Sequence, residues 1–148
     1  MLNSPMNHKL ILLFVVLISG CSKRDPIPVK DADLIDRYHK NKQSMSELLD
    51  LKKKTALTKA ELERKAVLMK VLGIVAFDSA GSYGLEHQFT ILKSGGSIVG
   101  GIDKGYSYRE TKPGNVADNL DTLKGIKVLK LYHRHIEGNW YIFLLYDD

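Results

Sequence analysis

The spacing of apolar residues changes once along this chain, near Gly73, and this change limits the possible folds more than any other feature. Before it, apolar residues recur at helical spacing in two stretches. They are Leu34, Ile35, Tyr38, Met45, Leu48 and Leu49, and then Ala60, Leu62, Ala66, Val67, Leu68 and Val71. After it, the pattern is that of extended strands separated by glycine-containing turns. The order predicts an α+β fold: an N-terminal helical pair packed on an antiparallel sheet of three to five strands.

Capping patterns predict where the helices begin. Thr58–Glu61 is a capping box and predicts a helix start, with Gly73 suited to the position just after the helix end. Asp31 or Asp33 is suited to cap the first stretch. Ser44–Glu47 is a second capping box inside that stretch, so we expect a break near Gln43.

Strand patterns fill the second half of the chain. The expected strands are residues 85–93, 97–108 with an interruption at Gly100-Gly101, 126–136, and 140–146, with one or two helical turns at 115–123. Gly138-Asn139 is a tight-hairpin dipeptide between the last two strands. The final strand is apolar on both faces, which predicts that it is covered on both sides or central in its sheet.

The first twenty residues differ in composition from the rest. Leu10–Ile18 is an unbroken run of nine apolar residues after Lys9, whereas a helix that spans a bilayer needs roughly 20. The run has no polar face and ends in Ser19-Gly20, which argues against a buried core helix. These features predict a secretory signal peptide.

The residues at the end of that segment resemble a known processing motif. Ile18-Ser19-Gly20-Cys21 is similar to the lipobox of bacterial lipoproteins. The resemblance implies cleavage between Gly20 and Cys21, a lipid on the Cys21 thiol and an acyl chain, such as palmitate, on the new amino group. Ser22, where an aspartate would favour inner-membrane retention, implies the outer membrane with the domain facing the periplasm. The sequence leaves surface display open.

The mature segment also resembles a group of small, uncharacterised proteobacterial lipoproteins. The matching residues are 104–108 (Lys-Gly-Tyr-Ser-Tyr) and 135–141 (His-Ile-Glu-Gly-Asn-Trp-Tyr). This resemblance implies no activity.

The resulting organisation has three parts. Residues 1–20 form the lipoprotein signal peptide, residues 21–30, with two prolines, form an extended tether, and residues 31–148 form a single α+β domain. Cys21 is the only cysteine, so no disulfide and no thiolate site is expected. No cofactor is predicted.

Three histidines define the only metal-site hypothesis. His133 and His135 lie two residues apart in an expected strand and so share a face, and His87 lies in another strand. Three converging imidazoles can hold zinc and leave a water site open, which would give a metal-dependent hydrolase. No further motif accompanies them.

The remaining features favour binding over catalysis. Residues 30–70 carry 11 basic and 7 acidic side chains. This excess is suited to anionic lipid or an acidic partner, but a solvated helical face of mixed charge is the explanation that we favour. Tyr106, Tyr108 and Arg109 form a candidate binding surface, because tyrosine and arginine are enriched in protein-binding hot spots.

Three functional hypotheses follow. The leading one is a lipid-anchored, non-catalytic domain that binds another envelope protein as an inhibitor, immunity factor or assembly accessory. The alternatives are the hydrolase using His87, His133 and His135, and a lipid- or glycan-binding domain with a pocket between helices and sheet. No nucleic acid is expected as a partner, because no aromatic-basic motif for it is present.

Overall fold

The structure is a computed structural model, and it describes residues 28–79, 87–96, 100–123 and 129–147. The fold is α+β, as predicted: three N-terminal helices pack against a five-strand antiparallel sheet. The predicted signal peptide, the lipobox-like residues 18–21 and most of the predicted tether lie outside the described residues.

The helices precede all strands in the chain. They are α1 (Asp31–Lys40), α2 (Lys42–Lys53) and α3 (Lys59–Leu72). The strands are β1 (Ala76–Ser79), β2 (His87–Gly96), β3 (Gly100–Tyr108), β4 (Leu131–Glu137) and β5 (Trp140–Asp147). Their order in the sheet is β1-β2-β3-β5-β4, so β5 lies between β3 and β4.

The first helical stretch breaks at Asn41, two residues before the expected position. The Asn41 amide donates a hydrogen bond to the Arg37 carbonyl over 2.9 Å, which ends α1 and lets α2 begin at Lys42. Ser44 therefore lies inside α2, and the prediction of a capping box at Ser44–Glu47 is wrong. The predicted helical pair thus consists of three helices.

The start and end of α3 follow the local sequence signals. The Thr58 hydroxyl accepts a hydrogen bond from the Glu61 N–H, and the Glu61 carboxylate accepts one from the Thr58 N–H. Gly73 follows the helix with φ +67°, and Arg37 donates to the Leu72 carbonyl over 3.3 Å. The predicted capping box and glycine C-terminus are confirmed.

Replacing Thr58 with alanine should lower the free energy of unfolding by about 1 kcal/mol, because one N–H at the start of α3 loses its acceptor. Urea unfolding of the two proteins measures the difference. Thr55→Ala, at an exposed position before the cap, is the matched control and should change little. Equal losses in both variants would contradict the capping role.

The helices cover one face of the sheet. The core on that face joins buried helical residues such as Leu34, Leu48 and Leu72 to Phe89, Tyr106, Trp140, Ile142 and Leu144 of the strands. Tyr141, Phe143 and Leu145 point to the opposite face by alternation and are also buried, but they do not belong to this core. The prediction that the last strand is central and buried on both faces is confirmed.

Several predicted element bounds are wrong. β3 begins at Gly100 and runs without interruption, since its glycines pair with β2 and β5. Residues 115–123 contain no helical turn; Val116 forms a bridge with His133, whose N–H donates to the Asn115 carbonyl. β4 begins at Leu131, and residues 129–130 before it are not in a strand. The first residues of the predicted strand, 126–128, lie outside the described residues.

Strand β1 was not predicted. Its four residues, Ala76–Ser79, are too few to show an alternating pattern, and they contain only one strongly strand-forming residue, Phe77. Antiparallel pairing with β2 holds these residues in a strand, although their local sequence does not favour one. Within the described residues, no helix has both the length and the apolar character that crossing a bilayer requires.

Candidate functional site

The three histidines do not come together. His135 pairs with Tyr141 and His133 with Phe143, on the sheet face away from the helices. His87 pairs with Tyr108 on the helix-covered face of β2, and β3 and β5 separate β2 from β4. The structure therefore gives no support to the alternative hypothesis of a metal site formed by these three histidines. The described residues contain no group of three or more His, Cys, Asp or Glu able to hold a metal ion.

The order of the strands decides this outcome, and a bulge in the last hairpin sets the face on which His133 and His135 lie. A regular two-residue hairpin at Gly138-Asn139 would place His135 opposite Ile142 and His133 opposite Leu144. The register shifts by one residue between His135 and Glu137. Because side chains alternate between the two faces of a sheet, this shift places His133 and His135 opposite Phe143 and Tyr141, on the face away from the helices.

His133 is a buried imidazole that meets few polar partners. It is 3% exposed, packs edge-on against Tyr141, and neither ring nitrogen makes a hydrogen bond of good geometry. Burial, with a further contribution from the positive charge of Arg109, lowers the pKa of His133 to about 4, although the nearby Asn115 carbonyl opposes the shift. His133 is thus neutral at pH 7 and fills space in the sheet.

This neutral imidazole should make the fold acid-sensitive. Since the pKa of His133 is about 4 in the folded state and about 6.5 in the unfolded state, protons favour the unfolded chain as pH falls. The resulting loss in the free energy of unfolding is absent above pH 6.5 and should reach about 3 kcal/mol near pH 4. Urea unfolding of His133→Gln from pH 7 to 4.5 should show a weaker pH dependence than the parent protein, whereas His135→Gln, at an exposed position, should not. Identical pH profiles for all three proteins would contradict the assignment.

A buried ion cluster joins the start of the domain to the sheet. Lys104 of β3 is fully buried, and its ammonium lies 2.6 Å from the Asp31 carboxylate and 2.5 Å from the Asp121 carboxylate. It also donates to the Val29 carbonyl over 2.8 Å. Arg134 of β4 lies 3.0 Å from the second Asp31 oxygen.

The cluster also supplies partners for backbone groups. The N–H of Asp31, at the first turn of α1, donates to Asp121 over 2.9 Å, and the N–H of Leu120 donates to Asp31 over 2.7 Å. Lys30 occupies the N-cap position and no side chain caps α1, so the prediction that Asp31 or Asp33 caps this helix is wrong. Burial by itself would raise the pKa of the Asp31 carboxyl, but Lys104, the Leu120 N–H and Arg134 outweigh it and hold that pKa below its usual value. We assign the cluster a structural role, because it fixes residues 29–31, at the start of the described chain, to the sheet.

Tyr106 belongs to the core and not to a surface. Its ring is fully buried beside Tyr38, and its hydroxyl donates to the Leu34 carbonyl of α1 over 2.8 Å. Burial raises the pKa of the Tyr106 phenol far above its usual value. The prediction that Tyr106 contributes to a binding surface is therefore wrong.

Tyr108 and Arg109 are partly exposed at the end of β3. The Lys53 ammonium lies 4.8 Å from the centroid of the Tyr108 ring, and the Asn139 amide donates to the Tyr108 hydroxyl over 3.3 Å. The Arg109 N–H donates to the Asn139 carbonyl over 2.9 Å, while its side-chain Nε has no hydrogen-bond partner. Tyr108 lies on the helix-covered face, whereas the charge of Arg109 acts on His133 on the opposite face, so only Tyr108 is kept in the surface described below.

Two more lysines stand over aromatic rings beside this position. Lys65 of α3 lies 4.4 Å from the centroid of the Phe77 ring on β1. Lys52 of α2 lies 5.5 Å from the same centroid and 5.0 Å from that of Phe89, and it donates to the Gln88 carbonyl over 3.0 Å. We call Lys52, Lys53, Lys65, Phe77 and Tyr108 the lysine–aromatic surface.

Two lysines of this surface, Lys53 and Lys65, differ from several other cations of the helices. Lys40, Lys42, Lys54 and Arg64 each form an ion pair with a carboxylate. Among the described residues, Lys53 and Lys65 have no carboxylate partner, and their ammonium groups lie over aromatic rings. Part of the positive charge of residues 30–70 therefore lies at this surface.

The lysine–aromatic surface lies away from the point where the tether joins. Lys104 contacts Val29 and Asp31 at one position of β3, and Tyr108 lies four residues further along the same strand. At about 3.3 Å per residue, this separation is about 13 Å. The Lys52-Lys53-Lys54 run was visible in the sequence, but only the packing of α2 on the sheet places Lys52 and Lys53 over rings.

Comparisons of the chain with protein-family models, with curated proteins and with solved structures found no match.

Proposed function

We propose that this chain is a lipid-anchored protein of the bacterial envelope whose domain binds another envelope protein through the lysine–aromatic surface. The lipid anchor follows from the lipobox-like residues 18–21. The observation that supports binding is the pair of lysines, Lys53 and Lys65, held over partly exposed rings without a carboxylate partner among the described residues. Tyrosine is enriched among the residues that dominate binding energy at protein interfaces, and an ammonium group over an aromatic ring is attracted to it.

The position of the surface favours a protein partner over the membrane of the anchor. The tether joins the domain beside Lys104, about 13 Å along β3 from Tyr108. A surface displaced from the attachment point is presented outward, where it meets partners more readily than the lipid that holds the domain. An acidic protein surface complements its charge.

The packing gives no support to a ligand pocket between helices and sheet. Tyr38, Tyr106 and Trp140 fill that space, with ring centroids of Tyr38 and Trp140 5.7 Å apart and those of Tyr38 and Tyr106 6.4 Å apart. All three side chains are buried. The lipid- or glycan-binding alternative therefore has no observation in its favour there.

The lipid anchor can be tested directly. In cells given a labelled fatty acid, the parent protein should acquire label and Cys21→Ser should acquire none, because the thiol that accepts the lipid is missing. The parent should also lose residues 1–20, which mass spectrometry of the mature protein would detect. Label on the Cys21→Ser protein would contradict the lipobox interpretation.

The proposed partner can be sought in intact cells. A photo-crosslinking amino acid at position 53 should yield a discrete cross-linked protein, whereas the same amino acid at exposed position 112 should not. Lys65→Glu should reduce the cross-link at position 53, and Lys112→Glu should leave it unchanged. Equal cross-linking from both positions, or adducts to phospholipid alone, would overturn the proposed function.

The proposed location is the inner leaflet of the outer membrane with the domain in the periplasm. Separation of the two membranes by density should recover the protein with the outer membrane. Protease added to intact cells should leave the domain uncut. Recovery with the inner membrane would contradict the sorting argument from Ser22, and cleavage in intact cells would show surface display.

A further inference from the structure

The two edges of the sheet differ in how they are covered. At β4, the Asn115 carbonyl accepts from the His133 N–H and the Ala117 N–H donates to the His133 carbonyl, so residues 115–117 occupy part of that edge. At the other edge, β1 pairs with β2 alone within the part of the chain that the structure describes. Every second backbone N–H and C=O group of an edge strand points outward and can pair with an added strand.

A positive charge stands beside this open edge. Phe77, in the middle of β1, has its ring on the helix side of the sheet, 5.5 Å from that of Phe89 and 4.4 Å below the Lys65 ammonium. A residue placed opposite Phe77 on an added strand would share this side, with its Cβ about 5 Å from that of Phe77. A carboxylate on that residue would be within reach of Lys65.

We infer that the open edge of β1 accepts an extended acidic segment of the partner protein as a sixth strand, with a carboxylate opposite Phe77 that pairs with Lys65. This inference rests on the proposed function and adds to it the mode of binding and the chemistry of the bound segment. Backbone hydrogen bonds to β1 supply affinity in this mode, and the side chains on one face of the added strand supply specificity. Lys52, which lies over the same ring, adds to the positive potential at that position.

Synthetic peptides can test the inference with the full acylated protein held in detergent micelles. The probe is a seven-residue peptide that alternates valine and glutamate, and the matched control alternates valine and lysine. The acidic peptide should bind at least tenfold more tightly than the basic one. It should also slow hydrogen exchange of the amides in residues 76–79, as measured by mass spectrometry.

Two controls separate strand addition from simple charge attraction. An acidic peptide with alternate backbone amides methylated keeps its charge but cannot extend the sheet, and it should bind at least tenfold more weakly. Lys65→Glu should weaken binding of the unmethylated peptide at least tenfold, and Lys112→Glu should leave it unchanged. Equal binding of the methylated peptide, or no protection of β1, overturns the inference.

A membrane target would give a different result. Vesicles of phosphatidylglycerol could compete with the acidic peptide for the protein, and Lys65→Glu could weaken vesicle binding as much as peptide binding. Both results together would show that the surface binds lipid, and they would overturn the inference. A protein cross-linked at position 53 without any peptide binding overturns strand addition but leaves the proposed function intact. Peptide binding with protection of β1 supports strand addition even where no cross-link forms.

Discussion

Replacing Lys104 with alanine should destabilise the protein by about 3–5 kcal/mol, because removing one partner of a buried ion pair leaves the other charge without compensation. Lys104 and Asp31 are both fully buried, and the Lys104 ammonium is shared by Asp31, Asp121 and the Val29 carbonyl. Arg134 would still contact Asp31, but only through the other carboxylate oxygen. The cavity left by the lysine stem adds to the loss.

Urea unfolding followed by circular dichroism measures this loss. Lys112→Ala, at an exposed position, is the matched control and should stay within about 0.5 kcal/mol of the parent. Asp121→Asn should cost less than Lys104→Ala, because Asp121 is partly exposed and water can reach it. A loss below about 1 kcal/mol for Lys104→Ala would show that the cluster does not hold the start of the domain to the sheet.

Replacing Gly105 with alanine should destabilise the sheet by about 3 kcal/mol, at the upper end of the usual cost of overpacking. A methyl group at this position would meet the Phe89 carbonyl oxygen at 2.1 Å and the Thr90 Cα at 2.9 Å. Both are backbone atoms of the neighbouring strand, next to the register shift between Thr90 and Leu92, so β2 and β3 must move apart to admit it. No side-chain rotation relieves the contact.

Gly114→Ala provides the control for this experiment. A methyl group at Gly114 meets no atom within 4 Å, and the residue lies in an exposed loop, so stability should change by less than about 0.5 kcal/mol. Chemical unfolding of the two variants under the same conditions gives the comparison. Equal stability of Gly105→Ala and the parent would mean that β2 and β3 do not approach as closely as the structure describes.

Parts of the fold were readable from sequence because they depend on neighbouring residues. The capping box at Thr58, the glycine after α3 and the two-residue turn at Gly138-Asn139 are local signals, and each lies where it was expected. The break between α1 and α2 was expected two residues too late, since Asn41 ends α1 through its own side-chain amide. The residues that suggest a lipid anchor lie outside the described residues, so that interpretation stays a prediction.

The candidate site was only partly predictable. Tyr108 and Arg109 were chosen because tyrosine and arginine are common in interfaces, and the same argument wrongly included Tyr106. The two tyrosines are two positions apart, with only Ser107 between them, so both point to the helix-covered face. Tyr106 lies under α1, whereas Tyr108 lies near the end of the strand beneath Lys53. Whether a tyrosine of β3 is exposed therefore depends on where the covering helices end, and not on the sequence of β3 itself.

The sequence by itself determined the class of fold, because the period of apolar residues separates helices from strands and requires only local information. Tertiary structure decided which residues meet. Lys104 pairs with Asp31, 73 positions away, and the bulge near Ile136 sets the cross-strand partners of His133 and His135. The lysine–aromatic surface arises only when α2 and α3 pack over β1 and β3. Such contacts join residues far apart in the chain, and no local spacing specifies them.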